Sequence, residues 1–520
     1  MTWQIIHRCL SQTAGGAPRL KQRGSAGAAF PSFEICGLEA EVLHAVTHAR
    51  TLRSMTEAEM MALFAANALV IAVLNASFNR TLPEPYMDEP FHLGQTQLYC
   101  QGRWNEWDSK ITTFPGLYIF GVMAAKVGDC GLATLRAVNM LPALATPWLL
   151  RSLLAVLHPT TSEADLAWNA AVLSLLPTHF FFHFLYYTDS LATCSVLLLV
   201  LLSYQSALPA SDSRAQQLGR AVAAALAIGF RQTNAVWVAF AVAAGALGEL
   251  QARGVLTKHA TLPAALAEVL LGRPPTLRSE EGTAPALARI VGTAARRDPV
   301  QLVLLAAFAA FVVLNGGVVV GDKSNHAMAF HLAQVLYATG LASAPFHLPQ
   351  LSYRLPATLR AAMAAAVAAP LAAAASLAAV LAAAHCTLSH PFLLADNRHV
   401  TFYLWRHVLG RHWLVPYMLA PLHLLLGSLL WPRVHAAQGS LLTLGLLVCT
   451  MLVLVPSPLL EPRYLTLPAL LLRLHSPPLI GPTGWLPPLL VFAALNAAML
   501  ALFLLRPYTW GDGSVARFMW

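Results

Sequence analysis

Acidic, basic and aromatic side chains gather at six short places in an otherwise apolar chain. Each place carries residue types that can bind a charged molecule or move a proton, and each adjoins a long apolar run. The six places are Tyr86–His92, Tyr186–Asp189, Phe230–Asn234, Gly321–His326, Leu394–His399 and Glu461–Tyr464. The pattern indicates a site for a polar, charged ligand at the ends of apolar elements.

These residue types can support group transfer to a hydroxyl. A carboxylate such as Asp88 or Glu89 can take a proton from a hydroxyl nucleophile. Arginine, lysine and histidine can hold a phosphate, or stabilise the negative charge that grows on a phosphate leaving group. The tyrosines of these clusters, and the nearby Trp104 or Trp107, can stack on sugar rings or anchor at a membrane interface.

Each cluster also has an ordinary structural interpretation. These alternatives are an exposed acid pair at 88–89, an interfacial anchor at 231, ion pairs at 322–323 and 461–463, and a polar turn at 396–399. For the pairs at 322–323 and 461–463, in which an acid lies beside a base in the sequence, an ion pair is the favoured interpretation. Taken together, the clusters favour a binding or catalytic site more than any one of them does alone.

The composition excludes the main soluble classes. The chain has 520 residues, of which 57% are hydrophobic and 11% charged, and its mean hydropathy is +0.58. Soluble proteins average about 25% charged residues, so a soluble enzyme and a disordered chain are both excluded. The net charge of +9 is too thinly spread for a nucleic-acid surface. The composition therefore predicts an integral membrane protein with many spans and no nucleic-acid partner.

Apolar runs of about 20 residues, the length that crosses hydrocarbon, predict about 12 transmembrane helices. They lie near 59–77, 132–157, 167–186, 188–207, 217–230, 233–250, 300–320, 327–345, 359–385, 412–431, 438–455 and 485–505. The run 113–127 predicts a partial or interfacial helix, and 460–474 stays undecided because Pro462 and Pro468 interrupt it. The predicted fold class is an all-α polytopic membrane protein.

Loop charges predict the topology. The long hydrophilic loop 251–298 is rich in arginine, and basic loops tend to stay in the cytosol. Counting spans back places loop 78–131 on the opposite side, and all six polar clusters then fall on that face. Residues 1–58 precede the membrane domain, which we place at 59–520. They predict a disordered extension, with an organelle transit peptide as the alternative.

Histidine and cysteine spacing argues against a metal site or a disulfide framework. His179 and His183 share a helix face, as metal ligands do, but no third ligand is obvious beside them, so helix packing is favoured. The seven cysteines include no CxxC pair. Cys100, Cys130 and Cys386 can lie in one compartment, but the sequence alone does not pair them.

The motifs are long enough to indicate a family. The first loop reads EPYMDE at 84–89, FHL at 91–93, WD at 107–108, ITT at 111–113 and PGLY at 115–118. Further runs are FLYYT at 184–188, FRQTN at 230–234, NGG at 315–317, LLADNRH at 393–399 and RFMW at 517–520. In this order they resemble the endoplasmic-reticulum dolichyl-phosphate-glucose α-1,2-glucosyltransferase family, over roughly residues 57–520.

The resemblance implies a GT-C-type glycosyltransferase in the endoplasmic-reticulum membrane, with its active site in the lumen. The implied donor is dolichyl-phosphate-glucose, and the implied acceptor is a dolichyl-diphosphate oligosaccharide that already carries two glucoses. A β-linked donor that gives an α-linkage is inverted at the anomeric carbon, so one displacement and one general base suffice. No metal and no other cofactor is expected.

The resemblance also implies roles for single residues. Asp88 in the first luminal loop is the expected base, and Glu89 is the competitor that the sequence does not separate from it. Arg398 and then Arg231 are the expected partners of the donor phosphate, and Asp189 stands where the family pattern predicts a glutamate. The remaining expected substrate-binding residues are Lys323, His326, His399, Asp396, Asn397, Tyr187, Asp189, His92, Asp108 and Arg463.

Two other functions stay open at this stage. One is a glycosyltransferase that uses dolichyl-phosphate-mannose, against which the specific run at 84–118 argues. The other is a transporter, which predicts ionisable residues near the bilayer midplane and broken helices in matching halves. The predicted spans are nearly free of charge and the charges lie at their ends, which favours the enzyme.

Overall fold

The computed structural model describes residues 57–207, 213–256, 258, 263–264, 286–323 and 327–520, and helices dominate them. The first helices are α1 (Glu57–Thr81), α2 (Glu89–Cys100), α3 (Gly116–Ala125), α4 (Leu132–Val138), α5 (Met140–Leu157), α6 (Glu163–Ser174), α7 (Pro177–Phe180), α8 (Asp189–Gln205), α9 (Arg214–Phe230) and α10 (Ala235–Ala252). Short 3₁₀ turns follow α7 at Phe181–Phe184 and α9 at Gln232–Asn234.

The later part of the chain continues in the same way. Its helices are α11 (Ala286–Arg297), α12 (Pro299–Asn315), α13 (Ala333–Ala368), α14 (Pro370–His385), α15 (Pro391–Ala395), α16 (Val400–Leu404), α17 (Val415–Met418), α18 (Ala420–Gln438), α19 (Ser440–Leu454), α20 (Pro462–Leu474) and α21 (Pro482–Leu505). Two short antiparallel strands follow, β1 (Tyr508–Thr509) and β2 (Val515–Ala516).

The helices confirm an all-α membrane protein. Among the described residues, four stretches are long and apolar enough to cross a bilayer, at 61–81, 132–157, 232–252 and 482–505. The number rises to six if α11 with α12, and α13 with α14, each count as one bent span. Shorter apolar helices include α3, α8 and α19. The count of about 12 spans stays a prediction.

The predicted spans 167–186 and 359–385 are wrong as drawn. The run 359–385 is divided between α13 and α14 at a bend of 111°. The run 167–186 is not a continuous helix, because α6 ends at Ser174 and the short α7 begins at Pro177. Proline has no backbone N–H and its ring clashes with the preceding turn, which favours a helix end before it, as is seen before Pro177. The undecided stretch 460–474 does form a helix, α20, which is mostly buried. The partial or interfacial helix expected at 113–127 forms as α3, and its place at the membrane interface stays a prediction.

The protein core is formed by helices on both sides of this break. α8 packs against α5, α9 and α10, and α20 packs against α13. Fully buried residues such as Trp237, Leu150, Leu197 and Leu471 belong to one large apolar cluster. Burial of such side chains stabilises the fold by about 1.5–3 kcal/mol each. This core carries the ends of α8, α9 and α20, from which the polar clusters project.

The first loop is folded against the core. A disulfide joins Cys100 at the end of α2 to Cys130 before α4, which settles the pairing that the sequence left open. Cys386 is free. Gly321 has φ +71°, and a Cβ there would lie 2.4 Å from the Ser109 carbonyl oxygen, so only glycine fits this close approach.

Several predicted features lie outside the described residues. They are most of the extension 1–58, the middle of loop 251–298, and His326. At the end of that loop, Asp298 pairs with Arg220 of α9 at 2.6 Å, and both side chains are buried. This ion pair fixes the start of α12 to the membrane domain.

Candidate active site

The candidate base Asp88 lies in a tight turn between α1 and α2. Met87 has φ +60°, a left-handed conformation that is uncommon for a residue with a side chain. The Tyr86 backbone N–H donates to the Glu89 carboxylate at 2.9 Å, and the Glu89 N–H donates to the Tyr86 carbonyl at 3.1 Å. The turn places the neighbouring carboxylates of Asp88 and Glu89 in different surroundings.

Glu89 is fully buried and fully bonded. Arg136 of α4 donates to its two carboxylate oxygens at 2.8 and 2.6 Å, and neither side chain is exposed. The Tyr186 backbone N–H adds a bond of 2.7 Å, beside the one from Tyr86. These donors occupy both carboxylate oxygens. The geometry therefore gives Glu89 a structural role and leaves Asp88 as the acid that a hydroxyl can reach.

Asp88 is held in place but stays accessible. Its side chain is 39% exposed, and it lines a cavity of about 510 Å³. Arg463 of α20 donates to the Asp88 carboxylate at 3.0 Å. The Asp88 backbone N–H donates to the Tyr187 hydroxyl oxygen at 3.0 Å. A carboxylate with a fixed position and an open side has the geometry that a general base needs.

This first cavity, which we call the polar cavity, is formed by five separate parts of the chain. They are the first loop, the segment 182–187, the segment 392–401, the segment 459–463 at the start of α20, and the segment 510–520. Its ionisable residues are Tyr86, Asp88, Tyr187, Asp396, Arg398, His399, Glu461 and Arg463. Phe91, Phe182, Trp510 and Trp520 contribute aromatic surface. The mixture of charged and aromatic side chains suits a sugar with many hydroxyl groups.

A second cavity, the apolar cavity, has a volume of about 280 Å³. Much of its lining is aliphatic, including Val318, Val319, Met328, Leu452, Val453 and Leu467. Asp189, Arg231, Tyr464 and Arg463 also line it. An apolar wall beside a few charged groups suits a lipid that carries a phosphate. Arg463 lines both cavities and therefore lies where they meet.

Arg463 is shared among carboxylates. It pairs with Glu461 and Asp88, and the nearest Asp189 oxygen is 3.9 Å away. Asp189 also pairs with Arg231, whose guanidinium lies 5.1 Å from the centre of the Tyr464 ring. A further anion that binds Arg463 must therefore compete with a carboxylate that is already there.

The electrostatics of the site keep Asp88 ionised. Burial raises the pKa of Asp88, but the charge and hydrogen bond of Arg463, together with the charges of His92 and His399, outweigh burial, and the pKa lies below its usual value. Burial also lowers the pKa of His92, although the negative charge of Asp88 opposes that shift. At neutral pH Asp88 is thus a carboxylate and His92 is neutral.

The turn at 396–399 brings charge into the polar cavity. Arg398 donates to both oxygens of Asp396, at 2.9 and 2.8 Å. The His399 Nε2 atom lies 3.7 Å from the same carboxylate. The Asn397 side-chain oxygen accepts from the Trp510 indole N–H at 3.1 Å. Asp396, Arg398 and His399 therefore line the cavity, while Asn397 anchors its wall.

Some predicted residues lie apart from the two cavities. His92 bonds the Tyr118 hydroxyl at 2.9 Å, and Asp108 accepts from the backbone N–H of Lys110 at 2.9 Å. Lys323 is exposed and bonds Asn315. These residues support the loop that carries Asp88 or lie beside it. His326 falls outside the described residues.

The structure does not add a metal centre. Within the described ranges, no group of three or more His, Cys, Asp or Glu side chains is placed to hold a metal ion. His179 and His183 are buried with their ring centres 4.4 Å apart, and His183 bonds the Ser190 hydroxyl at 2.9 Å. This environment agrees with the packing interpretation of the pair.

Sequence reasoning missed two important residues. Arg136 holds Glu89, and its signal was an arginine near the start of the apolar run 132–157, since a charge inside such a run requires a partner. Trp510 lines the polar cavity from far along the chain. It lies seven residues before the run RFMW, and nothing local indicates that it contacts the 396–399 turn.

Fold and site together define a helical membrane protein in which an arginine that binds an accessible carboxylate lies where a polar and an apolar cavity meet. Comparison with known proteins then identifies the family. The DIE2/ALG10 family model matches residues 82–474, and the chain belongs to this family. No solved structure matches the chain.

The relatives share one name, Dol-P-Glc:Glc(2)Man(9)GlcNAc(2)-PP-Dol alpha-1,2-glucosyltransferase. The chain is similar to the Arabidopsis thaliana protein, with 30% identity over 88% of this chain and 99% of that protein. It is also similar to the Mus musculus protein, with 32% identity over 87% of this chain and 96% of the relative. The Yarrowia lipolytica protein is 27% identical, over 84% and 93%. The similarity thus extends over nearly the full length of these relatives.

The two acids should differ in their effect on stability. Glu89→Gln leaves Arg136 as an uncompensated buried charge, which costs about 3–5 kcal/mol. We expect a clear fall in the thermal unfolding midpoint of the detergent-purified protein. Asp88→Asn changes a partly exposed group and should move the midpoint little. Equal midpoints for the two variants would contradict the structural role of Glu89.

Proposed function

We propose that this protein transfers glucose from dolichyl-phosphate-glucose, in α-1,2 linkage, to a dolichyl-diphosphate oligosaccharide that already carries two glucoses. The observation that carries the proposal is the position of Asp88, an accessible carboxylate in a polar cavity that meets an apolar cavity at Arg463. The shared name of the relatives supports the same substrates.

The acceptor sugar belongs in the polar cavity in this proposal. Its nucleophilic hydroxyl binds beside Asp88, which takes the proton as the oxygen attacks the anomeric carbon of the donor. The low pKa of Asp88 ensures that the carboxylate is ready to accept a proton at neutral pH. Asp396 and Arg398 supply hydrogen-bonding groups for the remaining hydroxyls.

The donor lipid belongs in the apolar cavity. Its aliphatic lining accommodates part of the dolichyl chain, and Arg231 and Arg463 lie where the phosphate would be held. Charge-assisted bonds from arginine to phosphate are short and strong, and they stabilise the charge left on the departing phosphate. This arrangement favours Arg231 over Arg398 as the phosphate ligand, because Arg398 lies in the polar cavity and pairs with Asp396.

Competition for Arg463 gives the donor a second effect. Without donor, Arg463 binds Asp88 and keeps it a weak base. A donor phosphate attracts the same guanidinium and so weakens its hold on Asp88. The pKa of the carboxylate then rises, which makes Asp88 a stronger base once both substrates are present.

The reaction needs only one displacement. A β-linked donor that yields an α-linkage is inverted, so the acceptor oxygen attacks from the side opposite the phosphate and no covalent enzyme intermediate forms. One carboxylate base and one phosphate-binding group are sufficient. The all-α fold, with a helical loop between α1 and α4, is compatible with the GT-C architecture and its roughly 12 spans.

We place the site in the lumen of the endoplasmic reticulum. The Cys100–Cys130 disulfide lies in the first loop, and disulfides persist in oxidising compartments. The basic loop 251–298 then lies in the cytosol. A glycosylation acceptor tag inserted near residue 270 should stay unmodified in microsomes, and a tag near the exposed Gly102 should be glycosylated. The reverse pattern would invert this topology.

The base assignment is tested by glucose transfer from dolichyl-phosphate-glucose to a diglucosylated lipid-linked acceptor in vitro. Asp88→Asn should lower kcat by about 100-fold or more, because it removes the general base.

In the same assay Arg231→Gln should raise the donor KM by about tenfold and leave the acceptor KM unchanged. Wild-type turnover by Asp88→Asn would reject Asp88 as the base, and a preference for dolichyl-phosphate-mannose would reject the proposed donor.

The pH profile tests the role of Arg463. A lowered pKa keeps Asp88 deprotonated down to low pH, so kcat/KM of the wild type should not fall from pH 8 to pH 5 through protonation of this group. Arg463→Gln removes the charge that lowers the pKa, and burial then moves the acidic limb towards neutral pH. The quantity compared is the pH at which kcat/KM falls on the acidic side of the profile, not the absolute rate. If this pH is the same in Arg463→Gln and in the wild type, Arg463 does not control the pKa of Asp88.

A further inference from the structure

The segment Tyr508–Trp520 forms a wall of the polar cavity. β1 and β2 pair as a small hairpin, with Trp510 N–H donating to the Ser514 carbonyl at 2.9 Å. Beyond the hairpin the chain runs beside the 396–399 turn. There Met519 N–H donates to the Arg398 carbonyl at 2.8 Å, and Val400 N–H donates to the Met519 carbonyl at 3.0 Å.

The same segment is fixed to the loop that carries Asp88. The Tyr86 hydroxyl bonds both the backbone N–H and the carbonyl of Arg517, each at 2.7 Å. The Arg517 guanidinium donates to the carbonyls of Phe503 and Leu504 at the end of α21, at 2.7 and 3.0 Å. The segment therefore bridges the first loop and the 396–399 turn, and its position depends on both.

The cavity face of this segment has the chemistry of a sugar-binding surface. Trp510 and Trp520 both line the cavity, and the Arg398 guanidinium lies 4.6 Å from the centre of the Trp510 ring. Aromatic faces pack against the C–H groups of sugar rings, while paired Asp396 and Arg398 offer an acceptor and donors to hydroxyl groups.

Trp510 is held in position by neighbouring polar groups. Its indole N–H donates to the Asn397 side-chain oxygen at 3.1 Å, and the Tyr508 hydroxyl lies 3.2 Å from the same oxygen. The His399 ring bonds the Trp520 carbonyl at 2.7 Å. A ring held in this way loses little conformational freedom when a ligand binds, which favours affinity.

The different linings of the two cavities favour the acceptor, and not the donor, as the ligand of this wall. The aliphatic lining that suits a polyprenyl chain belongs to the other cavity, together with Arg231. The wall at 508–520 instead borders the cavity that Asp88 lines, where a nucleophilic hydroxyl has to bind. A ligand here would present a sugar and not a lipid.

We infer that the 508–520 segment is part of the acceptor site, with Trp510 as the surface on which a sugar ring of the acceptor packs and Trp520 beside it. The segment supplies neither the proposed base nor the proposed phosphate ligands, so we assign it a role in determining which glycan is accepted. The inference rests on the proposed function, because it takes the lipid-linked oligosaccharide as the ligand.

The test measures binding and kinetics separately for the two substrates. Trp510→Ala should raise the Kd of a short-lipid analogue of the diglucosylated acceptor, and the acceptor KM, by about five- to tenfold. Trp510→Phe keeps an aromatic face and should recover most of the affinity. The donor KM should change less than twofold in both variants. A structural role alone would not separate the substrates in this way.

A matched control uses the same hairpin. Thr509→Ala changes an exposed residue of β1 that does not line the cavity, and it should bind the acceptor like the wild type. The thermal unfolding midpoint of every variant shows whether the hairpin has kept its fold. An unchanged acceptor Kd in a folded Trp510→Ala protein overturns the inference, as does a rise in the donor KM alone. Because Kd needs no turnover, wild-type protein that binds the acceptor but transfers no glucose contradicts the proposed function only.

Discussion

The buried ion pair between Glu89 and Arg136 is the interaction on which the arrangement of the site depends. The removal of two charges from solvent costs free energy, which is offset only if every hydrogen-bonding group of the pair is satisfied. Here the carboxylate also binds the backbone at Tyr86 and Tyr186, and the guanidinium binds the Leu82 carbonyl at 2.7 Å. One ion pair thus joins the first loop, α4 and the segment before α8, and it determines where Asp88 points.

The charges of the candidate site are arranged around a single arginine. Arg463 connects the polar and the apolar cavity, and it contacts carboxylates from the first loop, α8 and its own segment. An enzyme that joins a hydrophilic glycan to a sugar on a lipid phosphate needs both environments within reach of one reacting carbon. Because Arg463 is shared between carboxylates, an anion that binds it can change the basicity of a neighbouring carboxylate without a large movement of the backbone.

Much of this could be predicted from the sequence, and the failures have physical causes. The apolar runs and the scarcity of charge predicted the membrane fold, and the six clusters included Asp88, Arg231, Asp396, Arg398 and Arg463, which line the two cavities. The span at 167–186 was wrong because hydropathy does not register the helix break at Pro177. His92, Asp108 and Lys323 have suitable chemistry but lie outside both cavities, since sequence proximity to a site does not determine the direction of a side chain.

The sequence by itself determined the class of protein, the family motifs and the residue types available for chemistry, because hydropathy and local spacing are properties of neighbouring residues. Only the tertiary structure decided which of two adjacent carboxylates is buried, that Cys100 pairs with Cys130, and that Trp510 reaches the cavity. These facts depend on contacts between segments up to several hundred residues apart. Burial and hydrogen bonding at such contacts are set by the packing of the whole chain, which no local pattern records.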